Sequence, residues 1–179
     1  MRVWLISLVS LCIAGVGGWY WFVQSSAAPH SEHAAPYVLP ALTKQYTNSD
    51  YGFALKMPED FTENNITNDT GSGSTVVLEN QHNEGVQIII SPFDEDTGGG
   101  YTLTKERILQ DVPDLTITDE QPIDVGDAYH GVAFKSNNEA FGGDSREVWF
   151  VYKGNLYQIS TYARLDDLLK AIFQTWQFN

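Results

Sequence analysis

"REVWFVYKGNLYQISTY", residues 146–162, holds two runs of strand chemistry on either side of a tight-turn signal, Lys153-Gly154-Asn155. From Val148 to Tyr152 every residue is apolar or aromatic, so both faces of the first run need cover, as at the centre of a sheet. A half-exposed strand would alternate apolar with polar residues. The rest of the chain must therefore supply neighbouring strands and covering layers.

The neighbours are legible as hairpins. Tyr46-Thr47 and Phe53 to Met57 flank Asn48-Ser49-Asp50, and Thr75 to Leu78 and Val86 to Ile90 flank Asn80 to Gly85. Leu115 to Val125 and His130 to Ser136 read as further strands. Two segments have helical periodicity and supply the cover. Leu165, Leu168, Leu169, Ile172, Phe173 and Trp176 make one apolar stripe, with Asp166 and Asp167 near the positive end of the helix dipole. A shorter helix over Thr104 to Asp111 has Thr104 as its cap and Leu103 and Ile108 as a hydrophobic staple. Pro113 stops it, and its apolar face is Ile108, Leu109 and Val112. These elements predict an α+β fold, a mostly antiparallel sheet covered by helices.

Tyr51-Gly52-Phe53-Ala54-Leu55-Lys56-Met57-Pro58-Glu59-Asp60-Phe61 resembles the opening of PsbP-like domains, where a Tyr-Gly-Phe strand runs into a proline followed by an aromatic. Lys153-Gly154-Asn155-Leu156-Tyr157 and the closing Trp176-Gln177-Phe178 are similar to that family's late hairpin and carboxyl end. The resemblance covers Lys44 to the last residue and implies a PsbP-like α/β/α sandwich. Its markers are core and turn residues and carry no chemistry. The family includes extrinsic subunits of the photosynthetic oxygen-evolving complex and many exported bacterial proteins, and its fold recurs in a nuclear-transport factor. The resemblance therefore implies no single function. This chain departs from the photosynthetic type in having an anchor-like segment in place of a thylakoid transit peptide.

That segment runs from Val3 to Val23 without a charge. As a helix it would span about 31 Å, close to the roughly 30 Å hydrocarbon core of a bilayer. Trp4 stands near one end and Trp19, Tyr20, Trp21 and Phe22 at the other, where aromatic rings favour the headgroup interface. Arg2 precedes the run and the next basic residue is Lys44, so the positive-inside rule keeps the amino terminus in the cytoplasm. The predicted organisation is a transmembrane anchor at residues 1–23, an Ala/Pro/Ser-rich linker at 24–43 and an extracytoplasmic domain at 44–179. The competing expectation is a secreted protein cleaved near Ala27, since Ser25-Ser26-Ala27 offers small residues to a signal peptidase. Against it, the apolar run exceeds a signal h-region of about 7–15 residues. Leu11 before Cys12 is too large for a lipoprotein signal, and Ser10, Ala14 and Gly18 form a small-residue ladder common in membrane helices.

The chain carries 10 Lys and Arg against 23 Asp and Glu, a net charge of −13. Arg2 and Glu32 cancel, so the whole excess lies from Lys44 onward. Such a surface repels phosphate backbones, and no basic stripe reverses it, which excludes nucleic acid as an expected partner. The single cysteine, Cys12, allows no intramolecular disulfide.

Catalytic signatures are absent: there is no Gly-x-Ser-x-Gly elbow, no phosphate loop and no His-Glu-x-x-His. His82 and His130 fall in or beside turns, and His30 and His33 lie in the proline-rich linker, so none has the positioned partners a base or metal ligand needs. The candidate metal residues are Asp94, Glu95 and Asp96 in Asp94-Glu95-Asp96-Thr97-Gly98-Gly99-Gly100, where carboxylates beside flexible glycines could gather around Ca²⁺. Counted as an EF-hand loop from Asp94, position 12 is Lys105 where a bidentate Glu belongs, so an acidic loop without metal is favoured. Phe141-Gly142-Gly143-Asp144 is a second glycine loop that could form a binding rim. Asn65-Ile66-Thr67 and Asn68-Asp69-Thr70 match the glycosylation pattern, relevant only in a eukaryotic secretory pathway. Together these readings predict a non-enzymatic, single-pass anchored interaction or assembly module without a cofactor, whose partners are the membrane and an unidentified protein. The alternative is an exported Ca²⁺- or small-ligand-binding domain using residues 94–100.

Overall fold

All eight residues of the strand Ser145–Tyr152 are buried, as its two-sided apolar pattern requires. In this computed structural model the described residues are 37–67, 73–93, 102–125 and 129–179, which fall in the compact unit Pro36–Asn179. The elements in chain order begin with β1 (Leu42–Asn48), β2 (Phe53–Pro58), β3 (Thr62–Thr67), β4 (Ser74–Glu79) and β5 (Gly85–Pro92). After α1 (Lys105–Asp111) come β6 (Thr118–Val125), β7 (Tyr129–Ser136), β8 (Ser145–Tyr152) and β9 (Asn155–Tyr162). The chain closes with α2 (Asp166–Gln174) and β10 (Gln177–Phe178).

Seven strands form one sheet in the order β3-β4-β5-β9-β8-β7-β6, every neighbouring pair antiparallel. The turn between β8 and β9 is the one the sequence announces: Lys153 and Gly154 both have positive φ, 46° and 74°, the pattern of a two-residue I′ hairpin. Val148, Phe150 and Tyr152 on one face of β8 join a core with Leu165, Leu168, Leu169, Ile172 and Trp176. Trp149 and Val151 on the other face pack with Phe93, Leu103, Ile108 and Phe134.

The cover on the α2 side is not helical alone. The opening hairpin β1-β2 pairs with β10 in a separate three-stranded sheet, and its Phe53, Leu55 and Met57 enter the same core as α2. Phe53 stacks on Trp176 with ring centroids 4.3 Å apart, and Phe150 stacks on Tyr157 at 4.8 Å. Hence α2 and the small sheet share one face of the large sheet, and α1 packs on the other.

Local chemistry explains the helices. The backbone N–H of Arg107 donates to Thr104 Oγ1 at 3.3 Å, and Leu103 and Ile108 are both buried, so the cap and staple expected of α1 are formed. The expected apolar face is narrower than Ile108, Leu109 and Val112: Val112 is 37% exposed. It has left helical geometry (φ −130°, ψ 75°), consistent with the restriction that Pro113 places on the residue before it. The strand expected from Leu115 begins instead at Thr118, with a register shift between Thr118 and Gln121.

Gly131 on β7 lies where a Cβ would sit 2.7 Å from the Trp149 carbonyl and 2.8 Å from Phe150 Cβ, so β8 can approach only because that position has no side chain. In the chain from Pro36 onward, Gly131→Ala should therefore cost about 1–3 kcal/mol by overpacking. Phe150→Ala should cost about 3–5 kcal/mol through cavity formation. Urea unfolding followed by tryptophan fluorescence reads both; a neutral Gly131→Ala would contradict the close approach of β7 and β8.

Candidate functional site

Two charged residues stand side by side near the start of β8, and strand alternation sends them to opposite faces. Arg146 goes to the α2 side and is 4% exposed; Glu147 goes to the α1 side and is 1% exposed. Each must find partners inside the protein, because an unpaired buried charge costs several kcal/mol.

On the α2 side a cavity of about 100 Å³ lies between α2 and the strands β6, β7 and β8. Its apolar walls are Ile123, Ala133, Val148, Leu169 and Phe173. Arg146, Asp166, Lys170 and Gln121 supply its polar groups. Arg146 Nε lies 3.1 Å from Asp166 Oδ1, and Nη1 donates to the Asp119 carbonyl at 3.4 Å. The Nε contact is an ion pair by distance, but its alignment falls short of a hydrogen bond, since Asp166 Oδ1 has no hydrogen-bond partner. Asp166 opens α2, where the helix dipole favours a carboxylate, and Lys170 one turn on donates to its Oδ2 at 2.8 Å.

On the α1 side Glu147 is surrounded by donors. Its Oε1 accepts from Ser145 Oγ at 2.7 Å, Ser136 Oγ at 3.2 Å and Asn138 Nδ2 at 3.2 Å. Its Oε2 accepts from Trp149 Nε1 at 3.3 Å and from Ser160 Oγ. Five donors on a carboxylate with about four lone-pair sites saturate it. Serines beside a carboxylate superficially suggest a nucleophile set, but these hydroxyls are committed to Glu147 and closed to solvent. The cluster is a structural polar core.

The residues singled out from the sequence fall elsewhere. Asp94, Glu95 and Asp96 lie outside the described residues, as do the Val3–Val23 run, the Asn68-Asp69-Thr70 motif, and His30 and His33. Among the described residues no group of three or more His, Cys, Asp or Glu could hold a metal, and no helix is long and apolar enough to cross a membrane. His82 is exposed in a turn, and His130 is exposed with Nδ1 2.9 Å from Asp124 Oδ1. Phe141 is half-buried, edge-on to Tyr162 at 5.3 Å. Asn65 Oδ1 accepts a hydrogen bond from the Tyr46 hydroxyl at 3.2 Å. Sequence reasoning does not single out Arg146 and Glu147 as site residues. The signal that could have found them is an adjacent pair of charges opening a strand that is otherwise apolar on both faces.

No protein-family model and no curated protein matches the sequence. Among solved structures the chain is similar to the solution structure of a cyanobacterial PsbP from Synechocystis sp., at 15% identity over 76% of this chain and 92% of that one, with a TM-score of 0.49. It is also similar to the crystal structure of a GTP binding regulator from Thermotoga maritima, at 13% identity over 66% of this chain and 79% of that one, with a TM-score of 0.36. The first comes from the family that Tyr51–Phe61 resembles in sequence. Neither brings a residue role or a partner to this chain.

The Glu147 cluster makes a prediction of its own. Replacing Glu147 with Leu should destabilise the protein by about 2–4 kcal/mol, because the Trp149 indole N–H cannot turn to another acceptor as a hydroxyl can. Trp149→Phe should then cost less in the Glu147→Leu background than in the parent. Strictly additive costs in a urea double-mutant cycle would remove Glu147 as the acceptor of that bond.

Proposed function

We propose that the chain is a non-catalytic, single-pass membrane-anchored module that faces outside the cytoplasm and works by holding a protein partner. The observation that carries this reading is the uncharged run Val3–Val23, with basic charge before it only at the amino terminus and Arg2, followed by a proline-punctuated linker and a folded head. The head adds support through the fate of its buried polar cluster among the described residues: the Glu147 carboxylate and the serines around it are spent on each other. The net charge of −13 directs the module away from nucleic acid. A second reading, an exported small-ligand-binding domain, draws its support from the cavity under α2.

Membrane fractionation with protease added from outside tests the first reading. The full-length chain should stay in the membrane at alkaline pH, begin at Met1 or Arg2, and lose its head to the external protease. A mature protein beginning near Ala28, or a head that stays protected, would overturn the anchored form.

A further inference from the structure

The large sheet has two edges, β3 and β6, and the chain guards them unequally. β6 carries features that keep a free edge from pairing. Pro122 lacks an N–H, the register shifts between Thr118 and Gln121, and Asp119 has a positive φ of 55° with its carbonyl held by Arg146. Asp119, Glu120 and Asp124 add charge along it. β3 has none of these devices. It holds no proline and no lysine, keeps an unbroken register with β4 from Thr62 to Thr67, and has a single charge, Glu63. Thr62 to Ile66 are exposed, and no described residue hydrogen-bonds to the outer side of the β3 backbone. The sheet surface beside this edge is open as well. Strand alternation puts Ile66, Val77 and Ile89 on one face of β3, β4 and β5, around Thr75. None of the three joins either buried core, and Ile66 is 48% exposed.

We propose that two copies of this chain join by antiparallel pairing of their β3 strands, which makes one continuous sheet and brings the two Ile66 patches together on one face. The edge offers unpaired N–H and C=O groups that another extended strand satisfies in register. β3 fits its own copy. A two-fold axis sets each residue opposite one on the same face, so the central pair is Asn64 with Asn64 or Asn65 with Asn65. In the first register Glu63 meets Asn65 of the second copy and in the other it meets Thr67, so like charges are not opposed. Antiparallel pairing also keeps the Glu59 and Asp60 that precede β3 in one copy at the opposite end of the seam from those of the other. A strand from a basic partner would find one carboxylate along this edge, whereas a chain of net charge −13 needs a contact almost free of charge to meet itself. So short a seam stands at the low end of interface sizes, below about 1,200 Å² in total, and makes a weak, reversible dimer. The inference stands whether or not the anchor is retained.

The test uses the full chain with Cys12→Ser in density-matched non-ionic detergent micelles. Sedimentation should show the mass rising from one chain to two as protein concentration increases, and added salt should favour the dimer by screening the repulsion between two acidic heads. Asn64→Cys or Asn65→Cys should form an interchain disulfide under mild oxidation, because a self-opposed pair lies within the Cα range of such a bond, whereas Glu120→Cys on β6 should not. Backbone N–H groups along β3 point alternately to β4 and outward, so one of Asn64→Pro and Asn65→Pro leaves the internal ladder intact. That variant, recognised by a thermal midpoint close to the parent's, should weaken the dimer about tenfold or more. Where neither proline variant keeps the midpoint, the disulfide comparison decides alone. Gly18→Leu, which alters the small-residue ladder of the apolar run, should leave the dimer unchanged. A single-chain mass at every concentration overturns the proposal, as does a disulfide at Glu120→Cys equal to that on β3. Loss of the dimer in Gly18→Leu, or its persistence in both proline variants, overturns it by placing the contact elsewhere.

Discussion

Cover on both faces of β8 is the constraint from which the other layers follow. A strand whose eight residues are all buried cannot lie at an edge or on an open face, so β7 and β9 must flank it and a layer must close each side. Burying one large side chain contributes about 1.5–3 kcal/mol, and Val148, Trp149, Phe150, Val151 and Tyr152 contribute on two sides at once. The same burial makes Arg146 and Glu147 expensive, since an unpaired charge there costs several kcal/mol, enough to cancel two or three of those aromatic and aliphatic gains. The layers must therefore supply partners as well as apolar cover. Asp166 at the start of α2 answers Arg146, while Ser136 on β7 and Ser160 on β9 help answer Glu147.

The two answers differ in kind. Glu147 meets neutral donors from its own sheet and from the Asn138 turn, an arrangement that uses the carboxylate completely and fixes the register of β7, β8 and β9 at one level. Arg146 is answered by a charge from another layer, Asp166 at 3.1 Å, beside a cleft that side chains do not fill. One polar core is closed by saturation. The other is closed by pairing with the Asp166 carboxylate and the Asp119 carbonyl.

Much of this fold is legible in the sequence because its signals are local. The Lys153-Gly154-Asn155 turn, the Thr104 cap with its Leu103 and Ile108 staple, and the stripe from Leu165 to Trp176 are each written within a few residues. What escapes is non-local or chemically mute. β3, with the sequence Thr62-Glu63-Asn64-Asn65-Ile66-Thr67, is a polar edge strand whose one large apolar residue, Ile66, is 48% exposed, so no alternation marks it. The second sheet depends on a two-residue strand, Gln177–Phe178, meeting a hairpin more than a hundred positions earlier, which no periodicity reports. The site is illegible for a similar reason. Arg146 and Glu147 can be seen as odd charges in an apolar strand, but Ser136, Ser160, Asp119 and Asp166, which help complete them, come from other strands and from α2.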